Sequence, residues 1–126
     1  MAAEVRSVLV VDDETIVRDN LMDFFEDEGY NVYGVSDAEQ GLEFLRNSSI
    51  DACVVDMRLS GMSGNEFIAR AMETGDKRVY IIHTGSADYR LPDRLMALGI
   101  TGDNVFVKPV RDMEILAKAL KELHRV

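Results

Sequence analysis

The chain has one cysteine, Cys53, two prolines, and no tract dense in proline, glycine or serine along its 126 residues. A single thiol cannot form an internal disulfide, and the want of a linker leaves no seam between domains. Basic residues are also few: 14 Lys and Arg face 23 Asp and Glu, a formal charge of −9. That balance argues against unaided binding to a nucleic-acid backbone or an anionic bilayer, and it suits a basic partner surface. Apolar runs are short, as in Val8 to Val11 and Ala52 to Val55, well below the roughly 18 residues of a spanning helix. Met1 to Arg6 lacks the basic-then-apolar pattern of a secretory signal, so a cytoplasmic location is the expectation. What is present is ordinary globular material, 47% hydrophobic and 29% charged, enough for a packed core. Residues 1–126 are expected to form one domain, with no effector domain in this chain.

Short apolar runs alternate with stretches of helical spacing. Val8 to Val11 is apolar at every position, as in a strand covered on both faces of a parallel sheet. Ile16, Val17, Leu21, Phe24 and Phe25 then form one helical stripe, with Gly29 at the C-terminal cap. Asn31 to Val35 reads as a second strand. Ser36-Asp37-Ala38-Glu39 reads as a capping box opening a helix that buries Ala38, Leu42 and Leu45 and is weakened by Gly41. Ile50 to Val55, Val79 to His83 and Val105 to Val107 are three further strands. Asn65 to Met72, a helix with Pro92 in its first turn ending near Leu98, and a closing helix with core residues Ile115, Leu116, Ala119, Leu120 and Leu123 complete the alternation. Met96 and Met113 read as core. Strict alternation implies right-handed crossovers and an open, doubly wound (βα)5 sheet of the α/β class. The functional crevice of such a sheet lies beyond the carboxyl ends of its strands.

At those ends stand Asp12 and Asp13, Asp56, Thr84 and Lys108. Any one of them could simply cap a helix; five together point to a site. Carboxylates held close repel one another, and a hard divalent cation relieves this better than a side chain does. Mg²⁺, with carboxylate, water and phosphate oxygens in its shell, fits best. One carboxylate could then attack phosphorus while Lys108 and Thr84 bind the transferred group. Asp56, alone on its strand, is the candidate nucleophile; the adjacent Asp12 and Asp13 are better placed to hold the cation.

The ordered set Asp12-Asp13, Asp56, Thr84-Gly85 and Lys108-Pro109 resembles the receiver domain of two-component response regulators over essentially the whole chain. Asp56 to Gly64 is similar to the family's acceptor loop, with Gly61, Met62 and Gly64 in place. The resemblance implies a five-stranded parallel sheet in the flavodoxin-like order 2-1-3-4-5. It implies Asp56 as phosphoacceptor, Mg²⁺ held by the side chains of Asp13 and Asp56 and the backbone carbonyl of Arg58, and Asp12 acting mainly through water. Lys108 would bind a phosphoryl oxygen, Thr84 would follow the phosphoryl group, and the Lys108–Pro109 bond would be cis. It further implies a switch, not a turnover enzyme. The donor would be phosphohistidine on a sensor kinase or phosphotransfer protein, and the signal would pass to a downstream effector. Independently of the resemblance, the absence of a basic stripe or a recognition-helix segment leads us to expect no direct contact with nucleic acid, and no membrane contact is expected.

Several positions depart from the family's pattern. Ser60 replaces a usual proline and Ser63 a usual Asp or Asn, which loosens the loop after the acceptor. Val105 stands where an aromatic residue is normal. Phe106 turns to the other strand face and reads as core, unless the apparently longer Gly99–Lys108 segment shifts the register and returns Phe106 to that role. Arg58, two residues past the acceptor, could shield a phosphoryl group from water. Cys53 reads as a buried small hydrophobe, and His83 and His124, which lack metal-ligand spacing, read as solvated or packing residues.

Three alternatives follow from the same residues. A degenerate receiver would dock partners without phosphorylation, as the Val105 departure allows. A phosphatase of the haloacid-dehalogenase type would need a D-x-D motif and a cap, where this chain has adjacent Asp12-Asp13. A flavin-binding module would need a hydroxyl- and glycine-rich phosphate loop where Asp12-Asp13-Glu14 stand.

Overall fold

Five short strands line up in parallel in the order β2-β1-β3-β4-β5: β1 Ser7–Val11, β2 Asn31–Val35, β3 Ala52–Val55, β4 Val79–Thr84 and β5 Val105–Val107. The computed structural model describes residues 5–75, 77–108 and 110–124. The helices between the strands are α1 Thr15–Asp27, α2 Ala38–Asn47, α3 Gly64–Met72, α4 Asp93–Ala97 and α5 Glu114–His124. Every residue of β1, β3 and β4 is buried, which is why those runs are apolar on both faces rather than alternating. The edge strand β2 is half-exposed: Asn31, Tyr33 and Gly34 are exposed, and Val32 and Val35 are partly buried.

Side chains from the two faces of the sheet enter two cores. Leu9, Val11, Cys53, Val55, Tyr80 and Ile82 pack with Ala38 and Leu45 of α2, Phe67 and Ile68 of α3 and Leu95 of α4. Val8, Val10, Val54 and Ile81 pack with Leu21 and Phe25 of α1 and Leu116 and Leu120 of α5. The order, the parallel register and the helices on both faces match the doubly wound sheet expected from the sequence. Among the described residues no helix is long and apolar enough to cross a membrane.

The structure corrects several residue assignments. Ile16 is 76% exposed and Ile115 44% exposed, because each lies about 100° round its helix from the stripe that meets the sheet. That stripe is Val17, Leu21, Phe24 and Phe25 in α1 and Leu116, Ala119, Leu120 and Leu123 in α5. Met96 is 49% exposed on the five-residue α4, whose inward position is taken by Leu95; Met113 does pack against the α1/α5 core. Pro92 is the cap residue before α4 rather than part of its first turn. The cap of α2 is Asp37, one residue after Ser36: its carboxylate accepts the Gln40 N–H at 2.8 Å, and Gln40 Oε1 in return accepts from the Ser36 N–H and hydroxyl. The third strand starts at Ala52, although Ile50 is still buried, and the fourth runs on to Thr84.

The longer connection before β5 closes as a single 3-10 turn, Gly102–Asn104. Its buried Asn104 donates from Nδ2 to the Tyr80 carbonyl at 2.7 Å and accepts the Thr101 N–H at 3.0 Å. The turn absorbs the extra residues outside the sheet, so Ile82 pairs with Val105, His83 with Phe106 and Thr84 with Val107. Val105 packs on the α2–α4 side and Phe106 on the α1/α5 side. No register shift occurs, and Phe106 is core.

Candidate functional site

The carboxyl ends of β1, β3, β4 and β5 bring together the acidic residues and the lysine selected from the sequence. Oxygens of Asp12, Asp13 and Asp56 all lie within 4.8 Å of one another. Asp12 and Asp56 are buried, at 1% and 3% exposure, whereas Asp13 faces solvent. Lys108 sits between the two buried carboxylates, its Nζ 3.2 Å from Asp12 Oδ2 and 3.4 Å from Asp56 Oδ1. The strand ends fix these positions. The Asp12 N–H donates to the Val35 carbonyl at 3.2 Å, the Asp56 N–H to the Val11 carbonyl at 2.9 Å, and the Lys108 N–H to the Thr84 carbonyl at 2.7 Å.

Each group is shaped by its neighbours. Burial raises the Asp12 carboxyl above the usual aspartate range, and the Asp56 charge adds to this against the Glu14 N–H at 2.9 Å and the Lys108 ammonium. Burial would draw the Lys108 ammonium down, but Asp12 and Asp56 together outweigh it and hold it above the ordinary lysine value. The pair is unequal for a reason: Lys108 answers two carboxylates and reaches water at 15% side-chain exposure, while Asp12 is at 2%.

Thr84 is buried at the end of β4, and its Oγ1 accepts the Ser86 N–H at 3.2 Å, an ST-type turn that starts the following loop. Beyond Asp56, the Arg58 N–H donates to Asp56 Oδ1 at 3.4 Å, so the chain curls round the carboxylate while the Arg58 side chain stays exposed. The loop then returns to cap α3: Ser63 Oγ accepts the Glu66 N–H at 3.2 Å, and the Gly64 N–H donates to the Met57 carbonyl at 3.2 Å. Gly64 is required there. A Cβ at that position would collide with the Asp56 carbonyl oxygen and with Met57. The expected cis bond at Lys108–Pro109 involves Pro109, which lies outside the described residues.

Next to Thr84, His83 is 4% exposed, and its Nδ1 has no hydrogen-bond partner among the described residues. Burial, then the Lys108 charge, pushes its imidazole down to about 4 against the Asp56 charge, so it is neutral near pH 7. Cys53 is buried in β3 and its thiol is pushed up to about 12 by desolvation, fitting the packing role read from the sequence.

A family model described as the response regulator receiver domain matches residues 8–120, nearly the whole of this sheet and its helices. The chain belongs to this family. The receiver domain is 29% identical over 120 residues to the transcriptional regulatory protein YvrH of Bacillus subtilis, covering 94% of this chain and 49% of YvrH. It is 30% identical over 118 residues to the regulatory protein VanR of Enterococcus faecium, covering 94% and 50%. The chain thus spans about half the length of the curated relatives it matches. The structure of the chemotaxis protein CheY4 of Vibrio cholerae superposes with a TM-score of 0.80 at 26% identity, over 97% of this chain and 98% of that one.

Sequence reasoning missed four side-chain hydrogen bonds of Arg18, Tyr89 and Glu66. Arg18 Nη1 donates to the Asp12 carbonyl at 2.8 Å, the Tyr89 hydroxyl donates to Asn65 Oδ1 at 2.6 Å, and Glu66 joins Arg70 at 3.0 Å to Arg94 at 2.7 Å. The spacing of Glu66 and Arg70 is a legible i,i+4 pair. Partners 24 and 28 residues apart in sequence left no such signal.

Proposed function

We propose that this receiver domain accepts a phosphoryl group on Asp56 from a phosphohistidine donor, in a Mg²⁺-dependent reaction, and changes its surface for a downstream partner. The observation that carries the reading is the meeting of Asp12, Asp13 and Asp56 oxygens within 4.8 Å beside a single lysine ammonium. Among the described residues these three carboxylates face one ammonium, which pairs with Asp12 and Asp56, the Arg18 guanidinium being turned to the Asp12 carbonyl, and an all-oxygen donor set suits a hard divalent ion. Asp13, Asp56 and the Arg58 carbonyl would hold Mg²⁺, with Asp12 acting through water; bound there, the ion would neutralise charge on the phosphoryl oxygens.

An Asp56 carboxylate oxygen forms the new bond to phosphorus as the phosphorus–nitrogen bond to the donor imidazole breaks, and the imidazole nitrogen keeps that electron pair. Lys108, already between Asp12 and Asp56, turns its ammonium to the incoming oxygens. Thr84 donates its hydroxyl hydrogen to the same group. Each such charge-assisted bond is worth about 1.5–3 kcal/mol. Two approach the roughly 5.5 kcal/mol that drives a two-state switch from 1:99 to 99:1. The exposed Arg58 side chain shields the phosphoryl group from water and lengthens its life.

The domain works as a signalling switch within residues 1–126, without turnover of a separate substrate. Its partners are a sensor histidine kinase or histidine phosphotransfer protein, acidic-face docking being electrostatically suited to a basic surface, and a downstream effector. The setting is the cytoplasm, with no direct contact to nucleic acid or membrane. Val105, in the place of the family's usual aromatic, favours a second reading: a docking module that works without phosphorylation. Intact mass after incubation with Mg²⁺ and acetyl phosphate separates the two. One added phosphoryl in the wild type and none in Asp56→Asn supports the acceptor, and an unchanged wild-type mass refutes it.

A further inference from the structure

We propose that Arg18 is a positioning residue for the metal-facing end of β1, holding the Asp12–Asp13 peptide through a hydrogen bond threaded across Gly34; this deepens the acceptor reading and rests on its Mg²⁺ site. The need for it follows from the sheet. Val11 and Val35 are the last paired residues of β1 and β2, and the Asp12 N–H makes the final bond, to the Val35 carbonyl. Beyond Val35 the chain turns toward the α2 cap at Asp37, so β2 presents no donor to the Asp12 carbonyl. A buried carbonyl left without a donor costs free energy. Arg18 supplies the donor, with its Nη1 2.8 Å from that oxygen.

The side chain reaches it because helical side chains lean toward the helix N-terminus, and Arg18 stands on the second turn of α1. Its stem crosses Gly34. A Cβ there would lie 3.3 Å from Arg18 Cδ and would run into Met22 Sδ, so glycine leaves room for the two side chains where they now lie. The remaining polar groups of Asp12 are also engaged: Oδ1 by the Glu14 N–H and Oδ2 by Lys108. Asp13, one peptide further on and exposed, makes no side-chain hydrogen bond among the described residues, so the anchored Asp12 peptide is what would fix its position. Groups behind a metal's own ligands commonly change its affinity by about 10–100-fold.

The test is a Mg²⁺ titration of the full chain, read from the backbone amide shifts of Asp13 and Glu14, with thermal unfolding as a check on folding. Arg18→Met should weaken Mg²⁺ binding by about tenfold, and Arg18→Lys, which keeps a donor and the charge, should recover most of it. A role through charge alone gives the opposite sign: removing a cation near the pocket would tighten Mg²⁺. Equal or tighter binding by Arg18→Met therefore overturns the proposal and leaves the acceptor site standing. No Asp13-dependent Mg²⁺ binding by the wild type overturns both.

Discussion

The Tyr89 hydroxyl donates to Asn65 Oδ1 at 2.6 Å, tying the loop after β4 to the first turn of α3. The same loop is held at its other end, where the Ser86 N–H donates to Thr84 Oγ1 and the Tyr89 N–H to the Ser86 carbonyl at 3.2 Å. Thr84 and the helix capped behind Asp56 are thus joined by one short stretch of chain. Tyr89→Phe should cost about 1 kcal/mol of stability, as should Asn65→Ala, and the double variant should cost little more than either alone. Chemical denaturation of the four proteins checks this. Additive losses would show that the two residues act separately.

Asp13 combines exposure with a place in the acidic group, so a structural role and the proposed metal-binding role can be tested separately. Asp13→Asn should change metal-free stability by less than about 0.5 kcal/mol. If Asp13 holds Mg²⁺ as proposed, the variant should also lose the rise in melting temperature expected of the wild type with Mg²⁺, since a ligand stabilises only the form that binds it. Differential scanning fluorimetry across a Mg²⁺ series reads both effects.

Lys108 keeps two buried carboxylates in company. In Lys108→Met they repel without a counter-ion, and the metal-free protein should lose about 2–4 kcal/mol. Mg²⁺ should restore more stability to this variant than to the wild type, because the ammonium no longer competes for the carboxylates. Denaturant midpoints with and without Mg²⁺ test the pair of effects, and an identical Mg²⁺ response in the two proteins would contradict the competition.

His83 gives the fold a pH dependence. Its imidazole falls from an ordinary 6.5 to about 4 on folding, so between those values the unfolded chain binds the extra proton. The contribution of His83 is fully favourable above pH 6.5 and is lost as pH falls through that window, a change of up to about 3 kcal/mol from this group. Unfolding of His83→Val over pH 4–7 should show a flatter profile than the wild type.

The sheet was legible because its central strands are buried on both faces: Val8 to Val11 and Ala52 to Val55 show this as uninterrupted apolar runs. The acidic residues and Lys108 were legible because a parallel sheet gathers its strand ends, whatever their distance in sequence. Helix faces were read less well. Ile16 and Ile115 are as apolar as their buried neighbours, and only the angle of the helix on the sheet decides which residue turns inward. Gly41 looked like a weak point in its helix, yet a Cβ there would meet Phe67 at 2.8 Å, so its absence lets α2 lie close against α3. The Val105 and Phe106 assignment rested on a connection whose length alone could not reveal a 3-10 turn pinned by Asn104.

Cys53, the chain's one sulfhydryl, is walled into β3 with its thiol at about 12. At neutral pH the group stays almost wholly the unreactive thiol. Maleimide or spin-label reagents should therefore pass the native protein by, and a cysteine introduced at an exposed position such as Ser60 or Asp88 would take up the probe selectively, without first removing the natural one.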